Sequence, residues 1–337
     1  MKRGTSGLCL VVGVDKPAGM TSHDVVNRCR HIFGEKRVGH TGTLDPAASG
    51  VLPICVGPAT RLSNYMTGHD KAYLATVSFG SSTDTDDAEG QVIQTAVVPD
   101  EIADEVFARS YVSGMIGQHK QMPPAYSAIK VAGKKACDEA RRGNIIDLTP
   151  RDIEVYSARL MDVRSPSDSD SVEWDVEFHV SKGTYIRALA RDMGKELHCP
   201  AHLHGLRRIE AGRMTLEDCI SLEALEDIGI RAALDPVKLL GFRFTFVDDA
   251  LAAKVMNGSF IALDQVKLFE YGKSDSELAV CSCTSGVCES LREPDAAEII
   301  SVISSNKLVA LYEFDSKRAC FKPCCVFQTG VSRGCDI

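Results

Sequence analysis

The stretch Gly39–Ile54, GHTGTLDPAASGVLPI, decides how the chain is read. It begins with small residues and ends in an apolar run, Val51 to Val56, that reads as a buried segment. Asp45 precedes Pro46, and a residue before proline is pushed toward extended backbone. Gly39, Gly42 and Gly50 permit close approach and dihedrals closed to other residues. The product is a carboxylate on a stiff loop between two regular elements. An Asp-Pro turn or a helix cap has the same spacing, so alone the aspartate establishes no chemistry.

Upstream, the apolar run Leu8 to Val14 stops at Asp15 without a small-residue cleavage site, so it reads as a strand (Cys9 to Asp15) and not a signal peptide. A helix follows, with Ser22 as its expected N-cap, Val25, Val26, Cys29, Ile32 and Phe33 as its apolar face, and Gly34 as its stop. A short helix is expected near Thr60 to Met66. Downstream, Tyr73, Ala75, Val77 and Phe79 alternate with less apolar residues and predict a strand. The acidic turn STDTDDAEG (Ser82–Gly90) follows, then a helix near Glu101 to Met115. The turn lacks glycine at the sixth loop position and a closing Glu, so it fails as a calcium loop and reads as solvated. Val172, Trp174, Val176, Phe178 and Val180 predict a second strand. It leads through Gly183 into a helix from about Thr184, its expected N-cap, to Leu197.

The chain has 337 residues and is 44% hydrophobic and 25% charged, an ordinary composition that allows two domains. No run approaches the length needed to cross a bilayer, and the reading is cytoplasmic. Net charge is −8, yet its distribution matters more than the sum. Lys120–Arg151 and Lys182–Arg213 each carry seven bases against three acids, while Asp84–Glu105 carries eight acids and no base. Screening limits the reach of distant acids to ~10 Å, so local basic strips remain open to RNA phosphates. Thirteen cysteines, an odd number, suit free thiols in a reducing compartment. Cys281, Cys283, Cys288, Cys320, Cys324 and Cys325 lack the spacing of paired zinc knuckles and read as free thiols.

Five segments occur in order: DKPAGMTS (15–22), GHTGTLDPAASG (39–50), DKAYLATVSFGSSTDTDDAEG (70–90), PPAYSAIKVAGKKACDEAR (123–141) and SKGTYIRALARDMG with LRR (181–194 and 206–208). Together, over about Val11 to Met214, they resemble the bacterial tRNA pseudouridine-55 synthase family. The resemblance implies an α+β fold with a mainly antiparallel central sheet in residues 1–240. A basic insert, about 120–151, would close over RNA. A more weakly matching, β-rich PUA-like module would fill 241–337, with an insertion near 274–300 and an acidic balance that argues against strong RNA binding there.

The family's positions fall on Asp45 as the nucleophile toward C1′ or C6 of a flipped-out uridine, and on Arg187 as its partner. A neighbouring guanidinium favours an ionised carboxylate, whose ordinary pKa is ~4. Tyr73 falls on the base-stacking tyrosine; proton transfer by it would require a pKa far below the ordinary ~10. His40 falls on the residue that fills the space of the extruded base, Tyr185 and Leu206 on the pocket lining, and Lys16 on loop support. Lys130, Lys134, Lys135, Arg141 and Arg142 are the candidate phosphate contacts. The implied substrate is the tRNA T-arm, with no cofactor, no metal, no membrane, no obligate protein partner and a monomeric chain. Two rivals share these residues. One is a guide-RNA-dependent enzyme of ribosomal RNA; the other is a tRNA-folding helper in which binding outweighs catalysis.

Overall fold

The computed structural model describes residues 6–127, 129–131, 133–144, 147–165, 170–271, 287–290 and 292–334. The chain forms two compact units. One comprises Met1–Leu44, Val51–Gly68 and Gly212–Ile337; the other comprises Asp45–Gly50 and His69–Ala211.

In the first unit, β1 (Leu10–Lys16) runs beside β3 (Ser49–Val56), and β2 (Val38–His40) forms an antiparallel pair with β3. Both β1 and β3 are nearly all apolar because both of their faces are covered. Helix α1 (Ser22–Ile32) lays Val25, Val26, Cys29 and Phe33 into a core with Leu10, Val12, Leu52 and Ile54. Its N-cap is Thr21, one residue before the expected Ser22. Thr21 and Asp24 bond each other's backbone N–H reciprocally, while the Ser22 hydroxyl is drawn inward to the backbone of Leu44. Gly34 ends the helix with φ 58°. Helix α2 (Ser63–Met66) continues a 3-10 turn over Gly57–Leu62.

The rest of this unit is β-rich. Seven strands order as Ile261–Ala262, Cys320–Ser332, Lys307–Asp315, Ile299–Ser304, Phe244–Phe246, Phe269–Tyr271 and Val287–Glu289, around a core that includes Ile300, Val302, Tyr312 and Phe321. Cys288 lies on the last of these strands and Cys320, Cys324 and Cys325 on the second. All four are free thiols. Cys281 and Cys283 lie outside the described residues.

The second unit is built on β4 (Lys71–Phe79), which leads through β5 (Ser81–Thr83) and the acidic turn to β6 (Val92–Thr95). Helix α3 (Glu105–Gly114) and β7 (Gly117–Gln121) follow. The basic insert carries β8 (Lys130–Val131), β9 (Lys134–Lys135) and α4 (Ala136–Ala140). The long strands β10 (Arg151–Arg164) and β11 (Val172–Val180), helix α5 (Ile186–Glu196) and β12 (Ala201–Ala211) complete it. The sheet order is β12-β4-β11-β10-β7, antiparallel throughout. Tyr73, Ala75, Val77 and Phe79 are buried with Trp174, Val176 and Phe178. Trp174 donates its indole N–H to the Ile102 carbonyl at 2.8 Å, which satisfies the one polar atom of a fully buried ring. Among the described residues no helix is long and apolar enough to cross a membrane.

The aspartate loop joins this sheet at one point. Ser49 and Gly50 pair in parallel with Arg207 and Arg208 of β12. Gly50 has φ 104°, and a Cβ there would stand 2.1 Å from the Arg208 carbonyl oxygen. Only glycine satisfies both the dihedral and the approach. Gly50→Ala is expected to cost about 2 kcal/mol or more of folding stability in urea unfolding; a variant as stable as its parent would contradict this close approach.

Candidate active site

Arg187 lies in the first turn of α5, one residue past its N-cap Tyr185 and Ile186. The expected cap Thr184 instead donates its hydroxyl to the Ser181 carbonyl, and Gly183, at φ 84°, makes the strand-to-helix turn. This places Arg187 on the buried side of α5, with only 6% of its surface exposed. An unpaired buried guanidinium costs several kcal/mol, so its N–H groups require acceptors. They find them on three segments. Nε meets Asp45 Oδ2 at 2.9 Å. Nη1 meets the Thr85 carbonyl at 3.0 Å and Asp87 Oδ2 at 3.3 Å. Nη2 donates to the Tyr126 carbonyl at 3.0 Å. The loop aspartate, the acidic turn and the root of the basic insert thus converge on one side chain.

The two carboxylates differ in access. Asp87 is 13% exposed and Asp45 is 42% exposed. Asp45 is therefore held by the guanidinium and still open to a reaction partner. It stands at a small pocket with Ala47, Ala48, Asp87, Leu203 and Leu206. The volume is about 20 Å³, room for little more than a water. Ala47, Ala48 and Gly205 leave the walls free of bulk.

The expected lining residues arrive from different strands. Leu206 pairs with Ala75, and Arg208 pairs with both Gly50 and Tyr73. One strand therefore separates Tyr73 from the exit of the aspartate loop, a backbone separation of roughly 10 Å from two strand spacings. Tyr73 is itself buried on β4. Tyr185 stands two residues before Arg187 in the chain, and the side-chain amide of Gln121 brackets its peptide. It donates to the Tyr185 carbonyl at 3.0 Å and accepts from the Tyr185 N–H at 2.9 Å. Burial raises the Tyr185 phenol above its ordinary pKa, so this hydroxyl is neutral at pH 7.

His40 and Lys16 belong to the other unit. His40 ends β2 opposite Ile54. Lys16 is fully buried and donates its Nζ to the carbonyls of Pro17 and Met20 at 2.9 and 2.5 Å, which ties the DKPAGM loop together. In the basic insert, Lys134 and Arg142 flank Glu139 at 3.9 and 2.8 Å, and Arg141 lies 3.8 Å from Asp138. All three bases remain about 70% exposed; the Arg141–Asp138 pair is exposed at both ends and weak, whereas the Glu139 carboxylate that Lys134 and Arg142 share is buried. For Lys130 and Lys135 only the backbone is described.

Two expectations change. The acidic turn is not solvated at its centre: Asp86 and Asp87 are largely covered and paired with Arg191 and Arg187. Nor is the basic strip Lys182–Arg213 a free surface, since Arg187, Arg191 and Arg208 are all turned into the protein. Sequence reasoning passed over Asp86, Asp87, Gln121, Tyr126 and Arg191. One signal was available: Arg187 and Arg191 are four apart on a helix, hence on one face, and a face that buries two cations calls for acids opposite.

Comparison with known proteins places the chain in a family. Residues 30–186 match the model for the TruB family pseudouridylate synthase N-terminal domain, and residues 187–239 that for the tRNA pseudouridylate synthase B C-terminal domain. The tRNA pseudouridine synthase B of Deinococcus radiodurans is 41% identical over 274 residues, covering 74% of this chain and 87% of the relative. That of Caldanaerobacter subterraneus is 41% identical over 252 residues, covering 74% and 85%. Among solved structures, a Cbf5-Nop10-Gar1 complex aligns with TM-score 0.65 at 21% identity, covering 97% of this chain and 87% of that one. An H/ACA RNP bound to a substrate RNA containing 2′-deoxyuridine aligns with TM-score 0.64 at 21% identity, covering 96% and 86%. These two likenesses speak for the α+β fold alone. With a sheet of this order, an aspartate loop pinned to it, and relatives this similar over most of their length, the chain belongs to the TruB family of pseudouridylate synthases and is a pseudouridine synthase, an isomerase.

Proposed function

We propose that this protein converts uridine 55 in the T-loop of tRNA to pseudouridine, with Asp45 as nucleophile. The observation that carries the reading is the 2.9 Å contact between Arg187 Nε and Asp45 Oδ2 at the edge of a pocket. The names of the relatives, tRNA pseudouridine synthase B, supply the substrate class. An ionised carboxylate steered by a guanidinium attacks the extruded nucleotide, at C1′ or C6. The N1–C1′ bond breaks, the uracil turns, and a C5–C1′ bond forms. The C5 proton is lost, N1 takes up a proton, and the bond to Asp45 is released. Tyr73 stacks on the base and His40 occupies the vacated space in the RNA.

Residues 1–240 hold the chemistry in this reading, and 241–337 form an accessory RNA-binding module. The insert's exposed bases contact phosphates of the T-arm and position the RNA without reading its sequence. Extrusion costs a few kcal/mol of stacking, offset by pocket contacts. The chain acts on its own, without guide RNA.

The test is tRNA carrying tritium at uridine C5. Wild-type protein alone releases tritium, and Asp45→Asn releases none above background; release by the variant would end the nucleophile assignment. Arg187→Lys, which keeps the charge but loses the planar fork, is expected to slow single-turnover release at least about 100-fold while tRNA affinity changes far less. Arg141→Ala is expected to weaken tRNA binding and flatten the plot of log affinity against log salt by about one unit of slope; an unchanged slope removes Arg141 from the phosphate contacts.

A further inference from the structure

Arg187 depends on a turn and a loop that a second arginine holds. Arg191 lies one helical turn further along α5, with its side chain 16% exposed. Its Nη1 meets Asp86 Oδ2 at 3.0 Å, and its Nη2 donates to the Met122 carbonyl at 2.7 Å. Its Nε is held by Asp192 at 2.9 Å. Each of these outer contacts is a neighbour of an inner one. Asp86 stands between Thr85 and Asp87, the two residues that receive Arg187 Nη1. Met122 is four residues from Tyr126, which receives Arg187 Nη2. The two arginines grip the same pair of segments at successive points.

Asp86 is the pivot of the turn. Its φ is 62°, a left-handed conformation that aspartate, with its short polar side chain, tolerates better than most residues other than glycine. Its backbone carbonyl accepts from the Leu203 N–H of β12 at 3.0 Å, and the next turn residue but one, Ala88, donates back to the Leu203 carbonyl. The dihedral at Asp86 sets where the Thr85 carbonyl and the Asp87 carboxylate point. Burial raises the Asp86 carboxyl pKa, opposed by the charges of Arg191 and Arg187. Without Arg191, a covered carboxylate would lose its nearest counter-charge and its reason to stay.

We infer that Arg191, through its ion pair with Asp86 and its bond to Met122, is a positioning residue for the reaction: it holds the turn and the insert root in the arrangement that aims Arg187 at Asp45. The inference rests on the proposed function for its substrate, while its geometry is testable without any RNA. Arg191 does not touch the pocket, so its loss acts on the rate and not on RNA capture.

The experiment compares wild type, Arg191→Gln, Arg191→Lys and the double variant Asp86→Asn with Arg191→Gln. Expected for Arg191→Gln is tRNA affinity within about twofold of wild type, with single-turnover tritium release slower by roughly 10- to 100-fold. The double variant replaces the ion pair by two facing amides and removes the stranded charge. It recovers a large part of the rate, and it keeps the test open should Arg191→Gln fold poorly. Arg191→Lys falls between. In the free proteins, the Arg187 Nε–H resonance, identified by its loss in Arg187→Lys, is sharp and slow to exchange in wild type and broadened in Arg191→Gln. A wild-type release rate in Arg191→Gln, a rate loss that merely follows the unfolded fraction in thermal melting, or no recovery in a folded double variant overturns the inference. If wild-type protein releases no tritium, the proposed substrate fails, and the Nε–H resonance alone decides the role of Arg191: unchanged on Arg191→Gln, it overturns the inference too.

Discussion

A single buried guanidinium organises the second unit. Arg187 carries a fixed positive charge, and its removal from water costs several kcal/mol unless its donors are filled. They are filled by two carboxylates and two carbonyls from the aspartate loop, the acidic turn and the root of the basic insert. None of these segments is regular structure. All three meet at the arginine, so the site gathers around a charge that the fold has to neutralise.

The rigid part lies underneath. Within the second unit β12 serves three partners along its length: β4 along one edge, Ser49 and Gly50 near its middle, and the acidic turn at Leu203. Bulges after Leu203 and after Arg208 break its register with β4, and such irregularities let a strand serve different neighbours at different points. The close pass of Gly50 over the Arg208 carbonyl fixes where the loop leaves the sheet. Asp45, five residues earlier, inherits that placement.

The charge distribution has a matching logic. The chain is acidic overall, yet much of its basic strip at Lys182–Arg213 is spent inside the protein on Asp45, Asp86 and Asp87. The exposed bases of the insert, Lys134, Arg141 and Arg142, pair with Asp138 and Glu139 of the insert itself. Internal cations order the site, and external ones remain for a polyanion.

Alternating apolar residues were enough to place β4 and β11, because covered sheet positions demand those residues whatever lies beyond them; the run at Val51–Val56 marked only an apolar segment, which the structure makes part of β3. The helix faces followed in the same way, although both N-caps fell one residue from the expected position: backbone carbonyls, that of Leu44 for Ser22 and that of Ser181 for Thr184, took the hydroxyl. The motifs singled out Asp45 and Arg187, and the structure brings those two side chains together. Their mutual approach was beyond any local reading, being a matter of 142 positions of chain closed by a sheet. Asp86 and Asp87 were hidden for a further reason, although the spacing of Arg187 and Arg191 hinted that acids face them. A carboxylate on an acidic turn looks the same in one dimension whether it faces water or a buried cation; only the packing of that turn against α5 and β12 decides which, and here it faces the cation.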